Sequence, residues 1–220
     1  MINTYLAIET AKKAKRDGVG QFVFMSSAIV YGDSSGYGKQ MRITKDTEPH
    51  PTNFYGDSKW QADKGVRELA SPSFTVTVLR PPMIYGKGSK GNYPILAKMA
   101  KKLPIFPDVK NERSMLYIDN LCEFLSQVMI RGENGIFWPQ NSEYTRTSEM
   151  VKMIAEVSDH KIDVSKGWNW IVGVARLFPG KTRELTNKAF GNFTYDQNMS
   201  KYDFDYQIVA LEETIWRTER

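Results

Sequence analysis

Two short apolar runs with a helical stretch between them constrain this chain more than any other feature. Phe22-Val23-Phe24-Met25 shows no polar alternation, the mark of a strand buried on both faces. The segment FTVTVLR at 74–80 is a second, β-branched run that Pro81-Pro82 ends. Between them, residues 53–69 carry Trp60, Val66 and Leu69 at helical positions, and Ser71-Pro72 breaks the pattern. Upstream, residues 4–17 set Tyr5, Leu6, Ile8, Ala11 and Ala14 among lysines and an arginine, an amphipathic helix by spacing. Gly18 and Gly20 stop it. Helix, strand, loop, helix, strand is the order of a parallel α/β sheet, because parallel neighbours need a crossover and a helix supplies one.

Beyond residue 80 the alternation weakens. Residues 94–102 look helical, 114–118 suit a short strand, 119–129 are helical again, and Ile136-Phe137-Trp138 precedes a helix near 147–157. The tail from 158 mixes aromatic and charged residues without a strong period. The predicted fold is α/β: the later half of a doubly wound parallel sheet with a small mixed C-terminal lobe. The expected division is a catalytic portion over 1–80 and a substrate-binding lobe over 81–220, interleaved with the last sheet elements.

Composition narrows the function classes. Lys+Arg 30 against Asp+Glu 25 gives +5, a balance that favours an anionic ligand but lacks the clustering of a nucleic-acid binder. Cys122 is the only cysteine, and His50 and His160 lack ligand spacing, so neither a disulfide nor a metal site is expected. The apolar run from Trp168 to Phe178 is too short to span a bilayer and suits a core or lobe helix. A reduced, cytoplasmic protein without a membrane partner is the expectation.

Tyr55 and Lys59 form Y-x-x-x-K one turn apart on the predicted helix. A free tyrosine, with a pKa near 10, is a poor base at neutral pH, and a neighbouring ammonium favours its phenolate. Eleven tyrosines and nineteen lysines in 220 residues give about one such pair by chance, so the spacing alone is unspecific. Its context adds weight: the first strand ends in Ser26-Ser27, and ligands of open α/β sheets bind beyond the carboxyl ends of strands.

Four ordered blocks, FMSSAIVYGD, FYGDSKWQAD, VLRPPMIYGKG and RSMLYIDNL, resemble the extended short-chain dehydrogenase/reductase superfamily, nearest to its NAD-dependent nucleotide-sugar epimerase/dehydratase branch. The resemblance runs from Asn3 to YDFDYQ near the end and implies a Rossmann-type sheet, NAD as cofactor and a nucleotide sugar as substrate, of the UDP-glucose/UDP-galactose 4-epimerase kind. Position by position it implies Tyr55 as catalytic base, Lys59 as its partner and a ligand of the nicotinamide ribose, and Ser27 as catalytic serine with Ser26 beside the cofactor. Asn3 matches an active-site asparagine, and Pro82 the segment after the strand beneath the nicotinamide. Asn92 and Tyr93 match the sugar-nucleotide loop, Phe106 the residue against the base, and Arg113 the diphosphate arginine. A homodimer through the helices at 4–17 and 53–69 is the further analogy.

Two departures matter. The branch's glycine-rich fingerprint, G-x-x-G-x-x-G, does not occur in the sequence. The expectation is therefore a fragment of a longer enzyme, a truncated gene product or a chain completed by a partner, with an N-terminal cofactor-binding portion missing. Gly86 to Gly91 spells G-x-G-x-x-G, but Pro81-Pro82 and three more residues separate it from the strand, whereas a dinucleotide turn follows its strand directly; it is expected to be a substrate loop. Where the branch's dehydratases carry Asp-Glu, this chain has Ala28-Ile29, which favours epimerisation. A superfamily reductase or dehydrogenase on another carbonyl, or an inactive remnant, are the alternatives.

Overall fold

The computed structural model describes residues 2–178 and 180–220, with backbone alone for residues 2, 3, 176, 181 and 183–185. In chain order, α1 (Ile2–Arg16) leads to β1 (Gln21–Met25), and a 3-10 turn (Ala28–Tyr31) follows it. Then come β2 (Arg42–Ile43), α2 (Phe54–Arg67), β3 (Thr75–Leu79) and β4 (Met83–Tyr85). The next stretch holds α3 (Asn92–Ala100), β5 (Ile105–Pro107), β6 (Met115–Tyr117), α4 (Ile118–Arg131) and β7 (Gly135–Phe137). The remainder is α5 (Thr147–Val157), β8 (Asp163–Ser165), α6 (Asn169–Leu177), α7 (Lys181–Phe190), β9 (Thr194–Tyr195) and α8 (Leu211–Glu219).

The main sheet has the order β1-β3-β7 and is parallel throughout, with Phe22 opposite Val76 and Phe24 opposite Val78. Side chains alternate between two covered faces, so apart from Gln21, Thr75 and Thr77 both strands are apolar on each side. Phe22, Phe24, Val76 and Val78 face α1 and α2, where they meet Ala11 and Val66. Val23, Met25 and Leu79 point the other way, onto Leu121, Phe124 and Val128 of α4. Helices thus cover both faces, as a doubly wound sheet requires. Gly65 lets the two helices on the first face approach, since a Cβ there would lie 2.4 Å from the Ile8 side chain.

The lobe is tied on by parallel two-stranded pairs, β4 with β6, β5 with β8 and β2 with β9. Its core sets Tyr85, Phe106, Met115, Ile154 and Ile215 among the residues of α3, α5 and α8. Residues 158–220, which show no strong period in sequence, contain three helices, α6 to α8. The apolar run at 168–178 becomes α6, but Trp170, Val174, Leu177 and Phe178 stay exposed, so this helix adds little to the core. Among the described residues no helix is long and apolar enough to cross a membrane.

Buried tyrosines give the fold a pH limit. Tyr85, bonded to Thr214 Oγ1 (2.7 Å) and Asn141 Nδ2 (3.0 Å), and Tyr206, which donates to the Gln140 carbonyl (2.9 Å), are both pushed up to about 12 by burial. Burial also raises Tyr195 and Tyr202. In an unfolded chain these groups ionise near 10. From there to about 12 the folded chain keeps protons that the unfolded chain has lost, so stability falls as pH rises through this window. Helical circular dichroism should therefore collapse above about pH 10, with tyrosinate absorbance appearing in the same step. Tyrosinate formation by these groups while the dichroism is intact would contradict their burial.

Candidate active site

The carboxyl ends of β1 and β3 meet above the sheet, joined where the Ala28 amide donates to the Pro81 carbonyl (2.9 Å). Ser27 is extended and caps the 3-10 turn, its Oγ accepting from the Ile29 amide at 3.3 Å. Ser26 is buried, and its Oγ has no hydrogen-bond partner. A buried hydroxyl without a partner loses its hydration and gains nothing in return, so Ser26 Oγ is an unspent hydrogen-bonding group at the strand end.

α2 begins against the same turn. Asn53 is its N-cap, accepting from the Gly56 amide at 2.8 Å, a residue type chosen because its short amide reaches the orphan N–H groups of the first turn. Gly56 is required by proximity, since a Cβ there would come within 2.9 Å of the Ile29 carbonyl. Tyr55 therefore sits in the first helical turn with its side chain half exposed and its hydroxyl unbonded among the described residues. One turn on, the Lys59 ammonium donates to the Met25 carbonyl at 3.0 Å and stands 5.3 Å from the centre of the Phe24 ring. Partial burial lowers the Lys59 pKa. A further turn along, Asp63 is fully buried and receives both ends of the Arg80 guanidinium at 2.9 Å. Positions 55, 59 and 63 share one helix face, and the third anchors it to the end of β3.

A cavity of about 420 Å³ opens over this region, and Ser27, Ile29, Tyr55, Pro82, Asn92 and Arg113 are among its lining residues. At its far side, Arg113 Nη1 donates to the carbonyls of Lys188 (2.8 Å) and Gly191 (3.2 Å). No carboxylate pairs with Arg113 among the described residues, and burial pulls its pKa down to about 10. A partly desolvated guanidinium held only by carbonyls is a strong site for an anion. Beyond it lies a second cavity of about 270 Å³, sharing Met83, Asn92, Arg113 and Lys188 with the first and otherwise mostly apolar.

The structure thus brings Ser27, Tyr55, Pro82, Asn92 and Arg113 to one cavity, with Lys59 and Ser26 at the strand end beneath it. It does not bring Phe106 or Tyr93. Phe106 is fully buried against Phe190, at 5.7 Å between ring centres, and lines neither cavity. Tyr93 stacks on Tyr85 and donates to Glu219 Oε1 at 2.7 Å, facing the core. Both rings are taken up by packing, which a motif position alone does not reveal. The side chain of Asn3 lies outside the described residues. Gly86, Gly88 and Gly91 occur with positive φ in the loop between β4 and α3, away from the end of β1. Asp33, Ser34 and Phe193 also line the first cavity; Asp33 had no sequence signal beyond its place after the Ser27 turn.

A model described as the NAD dependent epimerase/dehydratase family matches residues 1–137. UDP-glucose 4-epimerase of Vibrio cholerae is 32% identical over 164 residues, 72% of this chain and 49% of that protein. N-acetyl-alpha-D-glucosaminyl-diphospho-ditrans,octacis-undecaprenol 4-epimerase of Escherichia coli O157:H7 is 34% identical over 117 residues, 50% of this chain and 34% of that protein. The chain spans about half or less of the length of these curated relatives. Among solved structures, UDP-glucuronic acid 4-epimerase from Bacillus cereus in complex with NAD superposes with a TM-score of 0.70 at 16% identity, covering 99% of this chain and 66% of that one. That likeness is one of fold.

Proposed function

The chain belongs to the NAD-dependent epimerase/dehydratase family, and from that premise we propose that it is the catalytic and sugar-holding portion of an epimerase acting on a diphosphate-linked sugar. Nucleotide sugars of the UDP-glucose/UDP-galactose kind are the substrates that the sequence resemblance suggests. One observation carries the proposal: a single cavity has a tyrosine and a serine hydroxyl at one end and an uncompensated arginine at the other. Residues 1–80 would hold the reacting carbon, and 81–220 the diphosphate.

NAD fits the strand end at its nicotinamide side. Lys59 and the unpartnered Ser26 Oγ stand there with Pro82, the groups that would hold the nicotinamide ribose and ring. Bound there, NAD would supply reversible hydride acceptance. The chain's own residues do the rest. Tyr55 takes the proton from the sugar hydroxyl and returns it, while Ser27 Oγ shares that hydrogen bond. The Lys59 ammonium favours the phenolate electrostatically, and Arg113 with Asn92 fixes the diphosphate so that the sugar can turn without leaving. Ala28 and Ile29 line this end at the positions where the branch's dehydratases carry Asp-Glu, which supports epimerisation over elimination of water.

The test is a fluorescence titration of the protein with NADH. Saturable binding that Lys59→Met weakens at least tenfold is expected, a loss in the range of a charged hydrogen bond. Equal binding by both proteins, or none by either, would overturn the assignment of this strand end to the cofactor.

A further inference from the structure

We propose that the groove on the far face of α3 is a second anion site, which takes a small phosphate-bearing anion and is separate from the candidate active site. α3 has a cavity on each side. Asn92, Ile95, Leu96 and Met99 line the one beyond Arg113. Pro94, Ala97, Lys98 and Lys101 line a groove of about 430 Å³, closed by the loop before the helix and by the end of α8. Each set follows the three-and-four spacing of one helix face, so the two sites share a helix but no residue. This site is therefore independent of the role proposed for Arg113.

The groove gathers positive charge that the fold leaves unspent. Lys98, Lys101 and Lys102 all line it, and like charges three and four residues apart on a helix repel. Lys101 pairs with Glu219 Oε2 at 2.5 Å, and Tyr93 donates to Oε1 of the same carboxylate at 2.7 Å, so that charge is answered within the protein. Lys98 and Lys102 are exposed and have no carboxylate partner among the described residues.

A helix C-terminus favours cations, which accounts for lysines here but not for the loop opposite them. Gly86 holds that loop against α4, since a Cβ there would lie 2.4 Å from the Ile118 side chain. The Ser89 amide closes a turn on the Gly86 carbonyl at 3.0 Å, and Gly86, Gly88 and Ser89 line this groove and neither cavity of the candidate active site. Ser89 Oγ is buried with no hydrogen-bond partner, a loss of hydration that a ligand oxygen would restore. Two free ammoniums and one unspent hydroxyl complement the oxygens of a phosphate group. A dianion also gains more from two ammoniums than a single carboxylate does. The volume is that of a small-molecule site.

The experiment is hydrogen exchange and isothermal titration calorimetry with inorganic pyrophosphate. Pyrophosphate should bind saturably and slow exchange across residues 86–101. Lys98→Ala combined with Lys102→Ala should weaken this binding at least tenfold and remove the protection, and Ser89→Ala should weaken it about threefold or more. The two lysines are exposed and the serine hydroxyl is unbonded, so none of these changes takes a contact from the fold. A calorimetric site that survives the double variant, without protection of 86–101, belongs to Arg113, so failure of the groove and failure of the active-site reading are distinguishable. No protection of 86–101, the same protection from sodium chloride at equal ionic strength, or protection unchanged in the double variant would overturn the groove site.

Discussion

Asp63→Ala should lower the stability of the chain by about 3–5 kcal/mol, the cost of leaving a buried charge without its partner. Asp63 is fully buried, and Arg80 is 3% exposed. Arg80 Nε and Nη2 reach the two carboxylate oxygens at 2.9 Å each, and Arg67 Nε adds a third bond at 2.9 Å. Burial opposes the Arg80 charge, but Asp63 and Tyr31 together outweigh it and hold its pKa above the ordinary value. Without Asp63, Arg80 keeps only the Tyr31 hydroxyl (2.8 Å) and the ring faces of Tyr31 and Trp60. Those contacts are worth far less than a bidentate pair. The midpoint of urea unfolding reads the loss directly.

The same physics limits what the ion pair itself contributes. Taking both charges out of water costs about as much as their attraction returns, so an apolar pair of similar volume is often neutral or stabilising. Asp63→Leu combined with Arg80→Met should therefore recover most of the stability lost in Asp63→Ala. A single variant that loses less than about 1 kcal/mol, the level of an exposed pair, would show that this cluster is not the desolvated anchor its geometry describes. The anchor matters to the site because it joins three of its parts: α2 through Asp63, the residue before Pro81-Pro82, and the serine turn through Tyr31. Trp138 Nε1 donates to the same Tyr31 hydroxyl at 2.8 Å, which brings the end of β7 into the cluster.

That anchor was not legible in the sequence, although half of its signal was. Asp63 follows Tyr55 and Lys59 at the same four-residue interval, but nothing local tells that its partner waits at the end of β3. The elements with a strong period were legible within a residue or two: α1, β1, α2, β3 and α5. Each has its apolar positions fixed by the helix or sheet it packs on, so pattern and burial coincide. The strands β2, β8 and β9 are two or three residues long and pair with partners far away in sequence, which leaves no local trace. In the tail, α6 buries Val172 but turns most of its apolar stripe outward, so hydrophobicity there is a poor guide to the core. At the candidate site, Ser27, Tyr55 and Arg113 could be located by motif order. The outward or inward turn of Tyr93 and Phe106 is decided by Glu219 and Phe190, residues more than eighty positions on.

Tyr55→Phe should lower kcat for sugar epimerisation by about 10²–10⁴-fold, the contribution of one positioned acid–base group, with KM unchanged. The substitution removes a single oxygen from a side chain that is 53% exposed and that makes no hydrogen bond through it, so the fold has nothing to lose. The ring still fills its place at the cavity wall, and Asn53 and Gly56 still set the first turn of α2. In the proposed function substrate is held from the opposite end, by Arg113, whose carbonyl contacts do not involve α2. An interaction made only as the hydroxyl proton moves is lost from kcat and from kcat/KM alike, whereas one made equally in the bound substrate appears in KM. The split therefore separates a base from a mere binding contact. A Tyr55→Phe protein keeping more than about a tenth of the wild-type kcat, measured with NAD and the sugar diphosphate it accepts, would fall below the range of general base catalysis. The proton would then have to leave through another group of the same cavity, and Asp33, which accepts from Thr52 at 3.1 Å, is the carboxylate already there.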